Sequence, residues 1–332
     1  MSPLAARLAE KIRLHGPLPF RDFMEAALYD PQYGYYRHPR DPFGKSGDFY
    51  TAEQLQPVFG ILIAERIHQL FRRMGEPDDF TVVELGAGRR EMTEAFAAWR
   101  YIPIDIDSGS LPERFRGVVF ANEFFDALPV EAAIYRDGRF LRRSVDFANG
   151  KFQWTTADVP PAVVAYLLRY FPQPEEGRSY EANLVALDWI ERIARALDSG
   201  FVFTIDYGFT RAESIRFPDG TLMSYRRHTA REQVLDDPGE RDITSHVNFT
   251  SLQEFGAELG LRSERFETLA QTILSVGESD QFAQAVGGDP PDSRRLMQLK
   301  TLLFGMGETF RVLVQEKNVS EPRPSPFLSR DR

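Results

Sequence analysis

Residues 82–92 read VVELGAGRREM, an apolar run that ends in an acid and is followed by two glycines one residue apart. Such a run closed by glycine is typical of a buried strand followed by a tight turn. Gly86 and Gly88 allow the backbone to turn sharply and to approach a ligand, and the first amides of a following helix would point at it. Residues 90–99, REMTEAFAAW, predict that helix. The stretch favours a cofactor loop, although a plain strand–turn–helix connection also explains Gly86.

Strand and helix patterns alternate from Phe80 to the end of the chain, which predicts an α/β fold with a doubly wound, mostly parallel sheet. Ligands of such sheets bind beyond the carboxyl ends of the strands. Several predicted strands end in polar residues, namely Glu84, Asp105 and Asp107, Asn122 and Glu123, and Asp206 and Tyr207. One shared site explains this pattern better than chance does.

The domain organisation follows from the same patterns. Residues 1–76 predict an N-terminal helical extension with an aromatic, glycine-rich loop that covers a site, and residues 77–318 the core. Insertions are expected around 130–180 and 269–305, the first of them rich in hairpins because of its Asp-Gly and Asn-Gly pairs. Residues 319–332 read as a flexible tail.

Composition excludes several function classes. The chain has 332 residues and a net charge of −9, which argues against general nucleic-acid binding. It lacks cysteine and its five histidines are scattered, so no metal site is expected. No apolar run is long enough to cross a membrane, and we expect a cytoplasmic protein. The oligomeric state stays open.

The type of cofactor depends on the residues after Gly88. Asp105 lies about nineteen residues beyond Gly86, where a ribose-binding acid would fall. A dinucleotide loop needs a third glycine for close helix packing around the pyrophosphate, and the chain has Arg90 instead. S-adenosylmethionine has no pyrophosphate and tolerates more variation. A nicotinamide dehydrogenase remains an alternative without a recognisable catalytic constellation.

Four motifs occur in order along the chain: GDFYTAEQLQPVFG (47–60), NEFFDALPV (122–130), FTIDYG (203–208) and PGERDITSHVNF (238–249). Together with ELGAG they resemble the MidA-like family of S-adenosylmethionine-dependent methyltransferases, which have the Rossmann-like class I fold. That family includes the mitochondrial complex I assembly factor that methylates an arginine. The resemblance covers the chain from about residue 18 to residue 318.

The resemblance implies a methyltransferase that acts on an exposed arginine of a partner protein, linked to respiratory complex assembly. It also assigns roles to residues. Those expected to bind S-adenosylmethionine are Gly47, Asp48, Thr51, Glu84, Gly86, Gly88, Asp105 and Asn122.

The residues expected at the acceptor are Glu123, Asp126 and His246. The two carboxylates would hold the guanidinium, with Phe124 or Phe125 stacked on it, and the histidine would accept a proton. The alternative is structural: the phenylalanines belong to the core, Asp126 caps a helix, and His246 is a hydrogen-bonded core residue.

Two features depart from the family. Its loop continues Gly-Arg-Gly, whereas this chain has Gly88-Arg89-Arg90, with Arg90 pointing outward or pairing with the cofactor carboxylate. Only ten residues separate Asp107 from Val118, too few for the helix and strand that normally form the adenine wall. A degenerate methyltransferase fold that binds or assembles proteins is therefore the second hypothesis.

Overall fold

A computed structural model describes residues 1–37, 52–226, 229–288 and 290–319. The predicted mixed α/β fold is confirmed. The helices in this part of the chain are α1 (Pro3–His15), α2 (Phe20–Tyr29), α3 (Val58–Arg73), α4 (Pro161–Tyr170), α5 (Leu184–Ala196), α6 (Phe249–Glu258), α7 (Leu269–Gly277), α8 (Ala283–Val286) and α9 (Ser293–Lys300), the last followed by a π-helical turn (Thr301–Met306).

The strands follow the predicted order closely. They are β1 (Leu18–Pro19), β2 (Phe80–Leu85), β3 (Arg100–Ile104), β4 (Phe115–Asn122), β5 (Glu131–Arg136), β6 (Arg139–Ala148), β7 (Lys151–Ala157), β8 (Ser179–Ala182), β9 (Leu197–Phe209), β10 (Met223–Arg226), β11 (Thr229–Arg231), β12 (Asp242–Thr244), β13 (Val247–Asn248), β14 (Arg262–Thr268) and β15 (Phe310–Lys317).

Contacts divide the chain into two compact units, each assembled from three separate segments. The first unit comprises Met1–Gln54, Glu123–Ile190 and Asp206–Phe255, and the second comprises Leu55–Asn122, Glu191–Ile205 and Gly256–Arg332. The predicted boundary between residues 76 and 77 differs from the nearest break, which lies after Gln54. The helix α3 belongs to the same unit as the strands β2, β3 and β4.

The second unit contains the central sheet, in the order β14-β15-β9-β4-β2-β3. The strands β3, β2, β4 and β9 are parallel to one another, and β14 and β15 are antiparallel. Burial on both faces of a parallel sheet requires continuous apolar runs. The fully buried members include Val82, Val83, Val118, Val119, Phe120, Phe201, Val202 and Phe203.

The first unit contains a smaller antiparallel sheet, ordered β1-β6-β5-β8 with β7 on β6, and a three-stranded sheet, β11-β10-β12. Two turns explain why its hairpins were recognisable from sequence. Asp137-Gly138 and Asn149-Gly150 both have positive φ at each position, as a two-residue type I′ hairpin turn requires. The hairpins β5–β6 and β6–β7 lie at the predicted turns, and the description of this segment as an insertion stays a prediction.

The described residues contain no helix that is both long and apolar enough to cross a membrane. Among the same residues, no three His, Asp or Glu side chains are grouped so that they could hold a metal ion.

Candidate active site

Strand register in the second unit brings three of the predicted cofactor residues to one edge of the sheet. Leu85 of β2 lies opposite Ile104 of β3 and Ala121 of β4. The residues that follow, Gly86, Asp105 and Asn122, therefore emerge at the same level. This is the edge at which open parallel sheets bind their ligands.

The loop after β2 has the backbone conformation of a close-approach turn. Gly86 has φ +72° and Gly88 has φ +43°, a region that side chains with a Cβ avoid. The amides of Gly86 and Ala87 both donate to the carbonyl of Ile104, at 2.9 and 3.0 Å, and tie the loop to the end of β3. The predicted glycine turn is present, and a ligand can approach its backbone.

The helix predicted over residues 90–99 is wrong, and with it the expectation of helix amides pointing at a ligand. The segment consists of consecutive turns, such as those closed by bonds from the amide of Thr93 to Arg90 and of Trp99 to Phe96. Met92 and Phe96 are fully buried, and their helical spacing explains the prediction. Arg90 has φ +58°, which helical residues do not adopt.

Arg90→Gly is expected to stabilise the protein. Arg90 is exposed and occupies a left-handed conformation that costs residues with a Cβ roughly 1–2 kcal/mol. Glycine removes this cost, but its greater freedom stabilises the unfolded chain and lowers the unfolding free energy by roughly 0.4–1 kcal/mol. The net gain in unfolding free energy is about 0.5–1 kcal/mol, measured by urea denaturation. Arg89→Gly is the matched control, because Arg89 does not have positive φ and should lose stability.

Glu84 and Asp105 have different surroundings. Glu84 is buried and accepts a hydrogen bond from the hydroxyl of Tyr101. Asp105 is half-buried and accepts from the amide of Ile106 at 2.8 Å, at the start of a tight turn closed by Ser108. Asp105 is the more accessible of the two acids.

The prediction that the segment after Asp107 is too short for a further helix and strand is confirmed. That the adenine wall is missing, rebuilt by other segments or supplied by a partner stays a prediction. The residues between Asp105 and Phe115 contain a tight turn and no helix or strand, so the parallel sheet ends at β3. A class I methyltransferase usually continues with one more helix–strand unit at this edge. The sheet of this protein therefore lacks that unit.

In the first unit, residues 123–127 form a turn that we call the acidic turn. Glu123 has φ +50°, and its Oε1 accepts a hydrogen bond from the amide of Ala52 at 3.1 Å. A non-glycine residue in this conformation costs of order 1–3 kcal/mol and is found mainly at functional sites. No helix follows the turn before α4, so the alternative role of Asp126 as a helix cap is wrong.

Asp126 is a buried carboxylate that can accept a further hydrogen bond. It is 2% exposed, and its Oδ1 has no hydrogen-bond partner within the described part of the chain. Burial raises the pKa of Asp126 to about 6, although a hydrogen bond with Tyr207 opposes the rise. An acceptor oxygen held in this way suits a cationic ligand with N–H donors.

Asp206 is a second buried acid beside the acidic turn. Its Oδ2 accepts from the amides of Phe125 and Asp126 at 3.0 and 3.3 Å, and its Oδ1 from the amide of Tyr207 at 2.9 Å. Burial, then the neighbouring charges of Asp126 and Glu123, raise the pKa of Asp206 well above its usual range. The sequence placed Asp206 at a strand end without assigning it a role.

His246 lies against Tyr207 and Phe217, with ring centres 5.6 and 5.1 Å away. Its backbone amide donates to the hydroxyl of Thr221 at 3.0 Å. Burial lowers the pKa of His246 to about 4, so its imidazole is neutral at physiological pH. The ring Nδ1 is buried and has no partner among the described residues, unlike a hydrogen-bonded core histidine.

The two phenylalanines of the acidic turn differ in access. Phe125 is fully buried and belongs to the core, so it cannot stack on a guanidinium. Phe124 is half-buried and makes an edge contact with Trp189 at 5.2 Å. Only Phe124 remains a candidate for that role. The predicted loop residues Gly47, Asp48 and Thr51 lie outside the described residues.

The fold and the glycine loop define the class of protein, an S-adenosylmethionine-dependent methyltransferase with a class I fold. The family model described as "Putative S-adenosyl-L-methionine-dependent methyltransferase" matches residues 97–267, just over half of the chain. The chain belongs to this family, and S-adenosylmethionine is its cofactor. A nicotinamide dehydrogenase is thereby set aside.

Individual proteins support the assignment. The chain is similar to a Burkholderia thailandensis protein crystallised with S-adenosyl-homocysteine, with 28% identity and a TM-score of 0.82 over 96% of this chain and 92% of that one. It is 26% identical to "Protein arginine methyltransferase NDUFAF7 homolog, mitochondrial" of Drosophila melanogaster, over 77% of this chain and 70% of the relative. The human protein arginine methyltransferase NDUFAF7 is 24% identical over 76% and 68%.

The expectation of a cytoplasmic location is contradicted. The curated relatives from fly, frog, mouse and human are all named as mitochondrial proteins. The expectation rested on the lack of a membrane-spanning or secretory pattern, and such a lack does not identify a compartment.

Proposed function

We propose that this methyltransferase transfers a methyl group to a guanidinium nitrogen of an arginine in a partner protein. The observation that carries the proposal is the buried Asp126 carboxylate, whose Oδ1 is unsatisfied. Within the described residues, neither Asp126 nor Asp206 forms an ion pair with a lysine or arginine of the chain. A planar guanidinium supplies several N–H donors in a fixed geometry and matches such an acceptor.

The relatives point to the same acceptor, since their names describe them as protein arginine methyltransferases. The link of such proteins to respiratory complex assembly is part of the proposal and fits an acceptor on a subunit of a respiratory complex.

The cofactor is assigned to residues of the second unit. Gly86 and Gly88 give close backbone access, and Asp105 is placed to accept from the ribose hydroxyls. We assign Glu84 and Asn122 to the support of this edge because both are buried. Gly47, Asp48 and Thr51 keep the role that the family resemblance implies.

The acceptor is assigned to residues of the first unit. Glu123 and Asp126 accept hydrogen bonds from the guanidinium, and Asp126 contacts the nitrogen that receives the methyl group, which orients that nitrogen and stabilises the charge. The bound cofactor supplies a methyl group that its sulfonium has already activated. The nitrogen that receives the methyl group must lose one proton.

Asp126 is a better acceptor for that proton than His246. A general base works best when its pKa lies near the operating pH. The pKa of Asp126 is raised to about 6 by burial, whereas burial lowers that of His246 to about 4. We therefore assign proton transfer to Asp126 and place His246 as a neutral side chain beside Tyr207 at the same site.

Titration of the purified protein with S-adenosylhomocysteine in a calorimeter tests the cofactor assignment. Binding with a dissociation constant of about 1–100 μM is expected, within the range that enzymes show for their substrates. Absence of heat from a folded protein would contradict cofactor binding and leave a protein-binding module as the better account of the short segment after Asp107.

Glu123→Gln tests the acceptor site separately. The change removes the charge that contacts the guanidinium, and methyl transfer should fall by about 30-fold or more, equivalent to about 2 kcal/mol. The readout is mass-spectrometric detection of methylarginine in a protein extract from cells lacking this protein, incubated with S-adenosylmethionine. Glu25→Gln, on the exposed face of α2, is the matched control. Methylation of lysine alone by the wild type would refute the arginine proposal.

A further inference from the structure

The acidic turn receives hydrogen bonds from several other segments of the first unit. The amide nitrogen of Asn183 donates to the carbonyl of Phe125 at 3.0 Å, and the backbone amide of Ser245 to the carbonyl of Asp126 at 3.0 Å. The hydroxyl of Tyr29 donates to the carbonyl of Ala127 at 2.8 Å. The carbonyls of the turn thus bind three separate parts of the chain.

The amides of the turn have one principal acceptor, Asp206. A single carboxylate oxygen receives the N–H groups of both Phe125 and Asp126, and the carboxylate is fully buried. Its other oxygen accepts from the amide of Tyr207, so the side chain cannot rotate without losing a bond. Buried amides left without an acceptor are costly. The turn depends on this carboxylate to keep its conformation.

This conformation determines where the acceptor carboxylates lie. Glu123, which begins the turn, has a left-handed backbone that isolated residues with a Cβ disfavour. Without the bonds to the next residues, the backbone would relax toward φ below zero and the side chains would change direction. A displacement of about 1 Å in a positioning group is enough to lower a rate by about 100-fold.

We propose that Asp206 is the positioning residue of the acceptor site: it anchors the turn that carries Glu123 and Asp126. The proposal rests on the function proposed above. Asp206 does not touch the acceptor but acts through the backbone amides of Phe125 and Asp126.

The charge state follows from the groups around the two buried acids. Asp206 is influenced by Asp126, Glu123 and the hydroxyl of Tyr207, and the site of Asp126 also includes Tyr36 and Tyr225. None of these groups is a cation, so two like charges stand side by side in a buried site. Such a pair resists full ionisation and holds a proton between its members.

Asp206→Asn tests the proposal. Asparagine keeps one acceptor oxygen for the backbone amides but loses the second acceptor oxygen and the negative charge. We expect kcat to fall by about 30-fold while the dissociation constant of S-adenosylhomocysteine changes by less than about threefold. A general destabilisation of the fold would instead weaken cofactor binding together with kcat.

Hydrogen exchange tests the anchor without reference to activity. The amides of Phe125 and Asp126 should exchange at least about tenfold faster in Asp206→Asn than in the wild type. Glu131→Gln is the matched control, since Glu131 is a buried acid of the same unit that binds Arg142 on the neighbouring strand. It should leave the exchange of the acidic turn unchanged.

Asn183→Ser is the second variant, and it tests the anchoring of the acidic turn if Asp206→Asn does not fold. Serine still accepts at the start of α5, as Asn183 does from Ala186, but no longer reaches the carbonyl of Phe125. It should lower kcat with unchanged cofactor affinity. A folded Asp206→Asn, or failing that Asn183→Ser, with wild-type kcat and exchange overturns the proposal. If the wild type methylates no arginine, the proposed function fails, whereas the exchange experiment still tests the anchor.

Discussion

Asp126→Asn is expected to abolish measurable methyl transfer and, at the same time, to make the protein more stable at neutral pH. Activity is lost because asparagine neither holds a guanidinium by charge nor accepts a proton. We expect a fall of at least about 1,000-fold, as general-base catalysis and charge pairing are lost together. Binding of S-adenosylhomocysteine should stay within about threefold of the wild type.

The gain in stability follows from the raised pKa of Asp126. Its value is about 6 in the folded protein against 3.8 as a reference, because burial penalises the charged form. A group of this kind contributes stability below its unfolded pKa and loses it as pH rises through its folded pKa. At about pH 7.5 the wild type carries the full cost of the buried charge, and Asp126→Asn should gain about 1–3 kcal/mol in unfolding free energy.

Urea denaturation at two pH values checks whether Asp126→Asn raises the unfolding free energy. The advantage of Asp126→Asn should be present at about pH 7.5 and shrink strongly at about pH 4.5, where the wild-type carboxyl is largely protonated. Asp188→Asn, at an exposed position of α5 in the same unit, should change neither activity nor stability. A variant that is less stable than the wild type at neutral pH would show that Asp126 is satisfied within the fold and is not held for a ligand.

Gly86→Val should eliminate cofactor binding without unfolding the protein. The φ of Gly86 is +72°, and a β-branched side chain there is a severe steric outlier. The loop must then move away from the carbonyl of Ile104, and its backbone no longer meets the ligand. Affinity for S-adenosylhomocysteine should fall by at least about 100-fold, or about 2.8 kcal/mol, measured by calorimetry.

The hairpin between β5 and β6 offers a matched control for this change. Gly138 has φ +73°, almost the same as Gly86, and a Cβ built there contacts nothing within 4 Å. Gly138→Val therefore imposes the same local strain in a hairpin of the first unit. Equal loss of cofactor affinity in both variants would mean that general destabilisation, and not the loop, causes the effect.

The fold was largely predictable because its elements follow local rules. Continuous apolar runs predict the parallel strands β2, β4 and β9, and Asp-Gly and Asn-Gly predict the hairpin turns. The missing helix–strand unit was predictable from length alone. The helix over 90–99 was not excluded, because the left-handed backbone of Arg90 arises from the tertiary position of the loop, and Met92 and Phe96 imitate a helical face.

The residues of the candidate site were chosen from the sequence, and their roles stay a prediction. The structure places Glu123, Asp126, His246 and Tyr207 in one unit. The pKa of His246 could not be foreseen, because it depends on burial beside Phe217, 29 residues away in the chain. The role of Asp206 depends on backbone amides, which carry no sequence signal.

The interleaved segments have a consequence for how the chain folds during synthesis. The first unit needs residues as late as Phe255, and the sheet of the second is incomplete until β15 has paired between β14 and β9. Contacts between such distant segments slow folding. Neither unit can therefore complete its folding while only the N-terminal part of the chain has been synthesised. The apolar strand β4 remains unpaired on one side until more than 70 further residues have been synthesised and β9 can pair with it.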